Sequence, residues 1–146
     1  ILLYLAEKTG ELIPKDALER HECLQWLFFQ MGHIGPMFGQ FGHFFKYAKE
    51  TCEHPYPVER YSNEARRLLG VLDKRLAEGS YLVAEMYTIA DIAIWPWVSC
   101  LDVYYKGREK LAMDEFDNVT AWFERIGSRE AVQRGMRVCM PEWLKG

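Results

Sequence analysis

The stretch around residues 87–103 constrains the fold more than any other part of the chain. Thr88 is placed to cap the free N–H groups of a helix's first turn. Asp91, three residues on, is placed to reach back to the amide of Thr88, which makes a capping box with Asp in place of the usual Glu or Gln. Tyr87 before the cap and Ile92 four residues after it fit a hydrophobic staple. The residues that follow, to about Val103, are apolar nearly all round, and a helix of that kind runs through the centre of a domain. Pro96 is expected to bend it.

The flanking patterns agree with a helical domain. Residues 1–8 read as helix, ended by Thr9 and Gly10, with no cap before the first turn, which implies chain upstream. A second helix is expected from near Asp16, with Leu24, Leu27, Phe28 and Met31 at helical spacing. Pro36 predicts a kink or break, with helix resuming from Met37 to Tyr47. Thr51 to Pro57, with two prolines, reads as a loop. Val58, Tyr61, Ala65, Leu68, Leu72 and Leu76 then mark one face of the most regular helix. Phe116, Val119, Phe123 and Ile126 predict a fifth helix, and Ser128 is a candidate cap for a short sixth over residues 129–136. Residues 140–146 read as a tail with an exposed Trp143. Period-two alternation is missing, so the expected architecture is all-α, a bundle of about five or six helices.

Composition narrows the function classes. The 146 residues are 49% apolar and 27% charged, as in a globular protein with a real core. A formal charge of −3 offers no electrostatic footprint for nucleic acid or an anionic membrane. No apolar run approaches the roughly 20 residues that span a bilayer, and the opening apolar stretch lacks the basic leader of a signal peptide. Cys23, Cys52, Cys100 and Cys139 are far apart in sequence, and no pair shows Cys-x-x-Cys spacing. Free, buried thiols in a reducing, cytoplasmic setting are expected.

Candidate chemistry is sparse. His21, His33, His43 and His54 make no i, i+4 pair, so no metal site is expected. Ser62, Ser80, Ser99 and Ser128 lie in no nucleophile elbow. Gly32, Gly35, Gly39 and Gly42 are read as allowing close helix packing at a bend. Asp91 is read as a structural cap. Arg60 has two readings: a solvated arginine pairing with Glu64 one turn on, which local sequence favours, or a carboxylate clamp, since guanidinium binds planar anions bidentately. Trp26, Phe28, Phe29, Met37, Phe38, Phe41, Phe44 and Phe45 form an unusually aromatic segment, read as either core or the wall of a cleft or interface.

Several of these segments resemble a known family. Tyr87-Thr88-Ile89-Ala90-Asp91-Ile92-Ala93, extended by Ile94-Trp95-Pro96-Trp97, resembles the motif that opens the central helix of glutathione transferases. Ala121-Trp122-Phe123-Glu124-Arg125-Ile126 and Ser128-Arg129-Glu130-Ala131-Val132 extend the match. Leu24-Gln25-Trp26-Leu27-Phe28-Phe29-Gln30, Gly35-Pro36-Met37-Phe38-Gly39-Gln40 and Val58-Glu59-Arg60-Tyr61 look like the Nu-class bacterial transferases, the glutathione-dependent disulfide-bond oxidoreductases. The resemblance covers essentially the whole chain. It implies that residues 1–10 are the last helix of a thioredoxin-like domain absent from this chain, and that residues 11–146 are the C-terminal helical domain. It further implies a homodimer, glutathione as substrate with a small electrophile or disulfide as acceptor, a glutathione contact at Arg60, and an acceptor site bordered by Trp26, Met37, Gln40, Phe41 and Phe44. The domain would then form the acceptor side of the site and the dimer interface.

Three residues depart from the family pattern: Ala84 stands where glycine is usual, and Asp117 and Glu130 where prolines are common. The groups that would steady a glutathione thiolate belong to the absent domain, and nothing in these residues replaces them. A non-catalytic, transferase-like interaction domain is therefore the alternative reading.

Overall fold

The structure, a computed structural model, describes residues 1–83 and 85–138. Ala84, Cys139 and the expected tail at 140–146 with Trp143 lie outside the described residues. Among the described residues there are seven α-helices and no strand: α1 (Leu2–Thr9), α2 (Ala17–Phe29), α3 (Gly35–Gly42), α4 (Tyr56–Leu76), α5 (Ile89–Ser99), α6 (Asp117–Gly127) and α7 (Glu130–Arg137). The all-α bundle is as expected, and the count reaches seven with α1 included because the helix expected from near Asp16 is divided into α2 and α3.

The helix ends follow from local chemistry. Gly10 closes α1 in the left-handed region at φ 72°, which glycine enters without steric cost, and donates its N–H to the Ala6 carbonyl at 2.8 Å. Asp16 caps α2 by accepting from the Leu18 and Glu19 amides at 2.9 and 3.1 Å. The Thr88 hydroxyl accepts from Ala90 at 3.3 Å, and the Thr88 amide donates to Asp91 at 2.9 Å, so the capping box of α5 is present. Asp117 and Glu130 each occupy the first position of a helix, where a proline is also tolerated and where an acid meets the positive end of the helix dipole.

Two ends differ from expectation. Ser128 does not cap α7: its hydroxyl donates to the Arg125 carbonyl at 2.9 Å, finishing α6, and Arg129 stands at the α7 cap without a side-chain bond. The start of α6 is capped from another helix. Asp73 on α4 accepts from the Asn118 and Val119 amides at 2.9 and 3.1 Å.

α5 is the central helix. It packs against α1, α2, α3 and α6, and buries Ile89, Ala90, Asp91, Ile94, Trp95 and Val98. Pro96 lies within it. The apolar stripe of α4 closes on the same core through Ala65, Leu68, Leu69, Leu72 and Leu76.

The break expected at Pro36 takes the form of a π-helical turn, Gln30–Ile34, between α2 and α3, with Pro36 accommodated in the first turn of α3. Two further π-helical turns, His43–Tyr47 and Cys100–Tyr104, extend α3 and α5. The ends of α3 and α5 interlock there. A Cβ on Gly42 would stand 2.2–2.5 Å from the Tyr105 ring, and a Cβ on Gly107 would stand 2.8 Å from the Phe41 ring. Gly35 admits Gln30 and Trp97 in the same way, with Trp97 at 3.3 Å, whereas Gly39 makes ordinary contact and Gly32 faces open space. Gly35 and Gly42 therefore serve close packing at the bend, whereas Gly32 and Gly39 leave room for a side chain.

Candidate functional site

The expected acceptor-site residues divide by exposure. Met37, Gln40, Phe41 and Phe44 step by three and four along α3 and its π-helical extension, so they form one stripe. Gln40 is exposed, and Met37 and Phe44 are half-buried. Phe41 has no exposed surface and stacks on Phe45 at 4.9 Å, which puts it in the core behind the stripe. Trp26 stands apart on α2, edge-on to Phe29 at 5.4 Å. The aromatic segment is thus both core and surface: Phe38 and Phe41 are buried, and Phe28 is 69% exposed.

Arg60 enters through its neighbour. Phe44 stacks almost parallel on Tyr61, with centroids 5.5 Å apart and planes 6° from parallel, so the stripe meets α4 one residue from Arg60. The expected Arg60–Glu64 pair is replaced by another. Arg67 donates to both oxygens of Glu64 at 2.8 Å, a fork-to-carboxylate geometry that outcompetes a single contact. Arg60 makes no hydrogen bond or ion pair among the described residues, and it is exposed. Arg67 holds the Glu64 carboxyl below its ordinary value, and Arg60 and His33, both near the same carboxylate, act in the same direction.

Sequence reasoning missed Tyr61, His33 and Arg67 as parts of this surface. The signal for Arg67 was present, since Arg60, Glu64 and Arg67 share one face of α4 at helical spacing. His33 comes from the π-helical turn, where α-helical spacing misplaces it, and its ring lies 5.2 Å from Phe29.

The arrangement is suited to binding. It presents an exposed guanidinium, without a hydrogen bond or ion pair among the described residues, one residue along α4 from the Phe44–Tyr61 stack. Burial pushes the Cys23 and Cys100 thiols up, opposite to what a thiolate nucleophile requires. Among the described residues no group of His, Cys, Asp and Glu is placed to hold a metal ion, and no helix is long and apolar enough to cross a membrane.

Asp91 is enclosed elsewhere, at the heart of the bundle. Its carboxylate accepts from the amides of Leu82 (3.1 Å) and Thr88 (2.9 Å), the Thr88 hydroxyl (3.2 Å) and the Trp122 indole (2.8 Å). Burial raises its pKa, and these donors oppose the rise. Every acceptor direction is turned inward, so its role is structural.

Comparison with known proteins places the fold. A family model described as the glutathione S-transferase C-terminal domain matches residues 55–125. A glutathione S-transferase-like protein of Aspergillus terreus is 32% identical over 97% of this chain and 67% of its own length. The chain belongs to the glutathione transferase family. The disulfide-bond oxidoreductase YfcG of Escherichia coli is 46% identical, over 93% of this chain and 60% of its own. A glutathione transferase from Burkholderia graminis, solved with two glutathione molecules per subunit, superposes with a TM-score of 0.93 at 47% identity, covering 95% of this chain and 58% of that one. The transferase helical domain described above spans about half the length of the curated relatives it matches.

Proposed function

We propose that this chain is the helical half of a glutathione-dependent enzyme, a transferase or disulfide-bond reductase, and that Arg60 clamps a glutathione carboxylate from the helical side. The observation that carries this reading is the free guanidinium. Arg67 occupies Glu64, leaving Arg60 unpaired one residue along α4 from the Phe44–Tyr61 stack. An exposed arginine with unused donors, next to apolar surface, suits a small anion with an organic body. The glutathione-bound neighbour at 47% identity supports the same ligand.

In this reading Trp26, Met37, Gln40 and Phe44 border the acceptor site, with Phe41 supporting them from the core. Residues 1–10 close a thioredoxin-like domain whose donors steady the thiolate, and residues 11–146 are the helical domain. The acceptor is a small electrophile or a disulfide. The enzyme is cytoplasmic and a homodimer, and the exposed Phe28 and Met31 on one side of the bundle supply apolar surface for a second copy.

Arg60→Ala in the full-length enzyme tests the reading. Loss of a charge-assisted pair raises KM for glutathione by about tenfold or more. Arg60→Lys, which keeps charge but loses the fork, falls between. An unchanged KM in both variants would leave Arg60 as a surface arginine, and a full-length protein with no glutathione turnover and no glutathione binding would favour the interaction-domain alternative.

A further inference from the structure

Arg60, Arg67 and His33 all lie near the Glu64 carboxylate, and among the described residues only Arg67 holds it. Two features decide between the arginines. The Arg67 fork meets both carboxylate oxygens at 2.8 Å through Nε and Nη2, which a single contact does not match. The order along α4 favours Arg67 as well. Glu64 precedes Arg67 by three residues and follows Arg60 by four, and an acid ahead of its base runs with the helix dipole, whereas the reverse order runs against it. Glu64 is the more sheltered partner, with its side chain 23% exposed against 54% for Arg67. A sheltered carboxylate has lost part of its hydration, so without Arg67 it turns to the next cation within reach. Arg60 stands one turn away on the same face of α4 and has no other partner among the described residues.

We propose that Arg67 is a positioning residue for Arg60: it engages Glu64 and so keeps the Arg60 guanidinium open to a ligand carboxylate. Glu64 is then a competitor for the anion site built into the same helix, and the Arg67 fork holds it off. The proposal rests on the reading of Arg60 as a glutathione clamp, and it makes that clamp depend on two residues that act without touching the ligand. The size of the effect follows. An exposed ion pair at this spacing is weak, so a released Glu64 fills Arg60 only part of the time. Apparent affinity for the ligand then falls by the fraction of Arg60 left open, about two- to fivefold. That is less than the loss expected on removing Arg60 itself.

A double-mutant cycle on the full-length protein tests it, with Kd for glutathione read by calorimetry and kcat measured alongside. Arg67→Ala should raise Kd by about two- to fivefold and leave kcat close to wild type, since the ligand must reclaim Arg60 from Glu64 before the reaction begins. Glu64→Gln should remove the competitor. In that background, adding Arg67→Ala should change Kd by less than about 1.5-fold. An equal rise in both backgrounds would overturn the proposal, because it would mark Arg67 as attracting the anion by its own charge. So would an unchanged Kd in Arg67→Ala, which would mean that the released Glu64 turns to water or to His33. Arg60→Ala separates the two levels. An unchanged Kd there, or no glutathione binding by the wild-type protein, would overturn the reading beneath the proposal. A raised Kd in Arg60→Ala with no coupling between Arg67 and Glu64 would overturn the positioning role alone.

Discussion

Asp91 holds a carboxylate where solvent does not reach, and four converging donors make that tolerable. Removing it strands two backbone amides and an indole in the core, each costing about 1–3 kcal/mol when left unpaired. Asp91→Ala should therefore lower stability by roughly 3–5 kcal/mol in urea denaturation, in line with losing one member of a buried charged network. Trp122→Phe keeps most of the aromatic bulk and removes one donor, so about 2 kcal/mol is expected. Glu64 behaves differently, because its pair with Arg67 is partly exposed, at 23% and 54%. Its folded-state value is lowered, so its stabilising contribution is present above the ordinary value of 4.5 and is lost as pH falls through the folded value. The stability difference between wild type and Glu64→Gln should be a few tenths of a kcal/mol near neutral pH and should disappear once pH has fallen through the lowered folded-state value of Glu64.

At the scale of elements, the interlock of α3 with the end of α5 sets the position of the candidate wall. Tyr105 rests on Gly42 and Phe41 rests on Gly107, so each chain segment inserts a ring where the other lacks a side chain. Gly42→Ala forces that ring to move and should cost about 1–3 kcal/mol. Gly39→Ala meets Trp97 at an ordinary 3.8 Å and should gain helix propensity, giving a neutral or slightly stabilising change. Thermal melts of the two variants, with Tyr105→Leu added to the first as a partial rescue, check this. The same elements show which features a sequence reveals. The cap of α5 was legible because Thr88 and Asp91 are three residues apart. The cap of α6 was not, because its acceptor is Asp73, 45 residues before Asn118. The π-helical turns shift faces by a fraction of a turn, which α-helical spacing does not anticipate.

At the scale of the molecule, the central helix and the apolar faces of α4 and α6 were legible as periodicity, and they determine the bundle. The candidate site was legible in its types of residue and less so in its pairings. Arg67 took the carboxylate expected for Arg60, and Phe41 turned inward. Both outcomes depend on competition between neighbours in space. What the described chain supplies is a guanidinium and an aromatic wall.

The carboxylate of Asp91 joins contacts of very different sequence separation. Its bond from Thr88 spans three residues, whereas its bond from Trp122 spans 31. A contact that closes a short loop forms early on the way to the native state, and one that closes a long loop waits for α6 to dock. The two halves of this network should therefore separate in time. Thr88→Ala should slow refolding, and Trp122→Phe should chiefly hasten unfolding. A single buried charge thus records the order in which the bundle assembles.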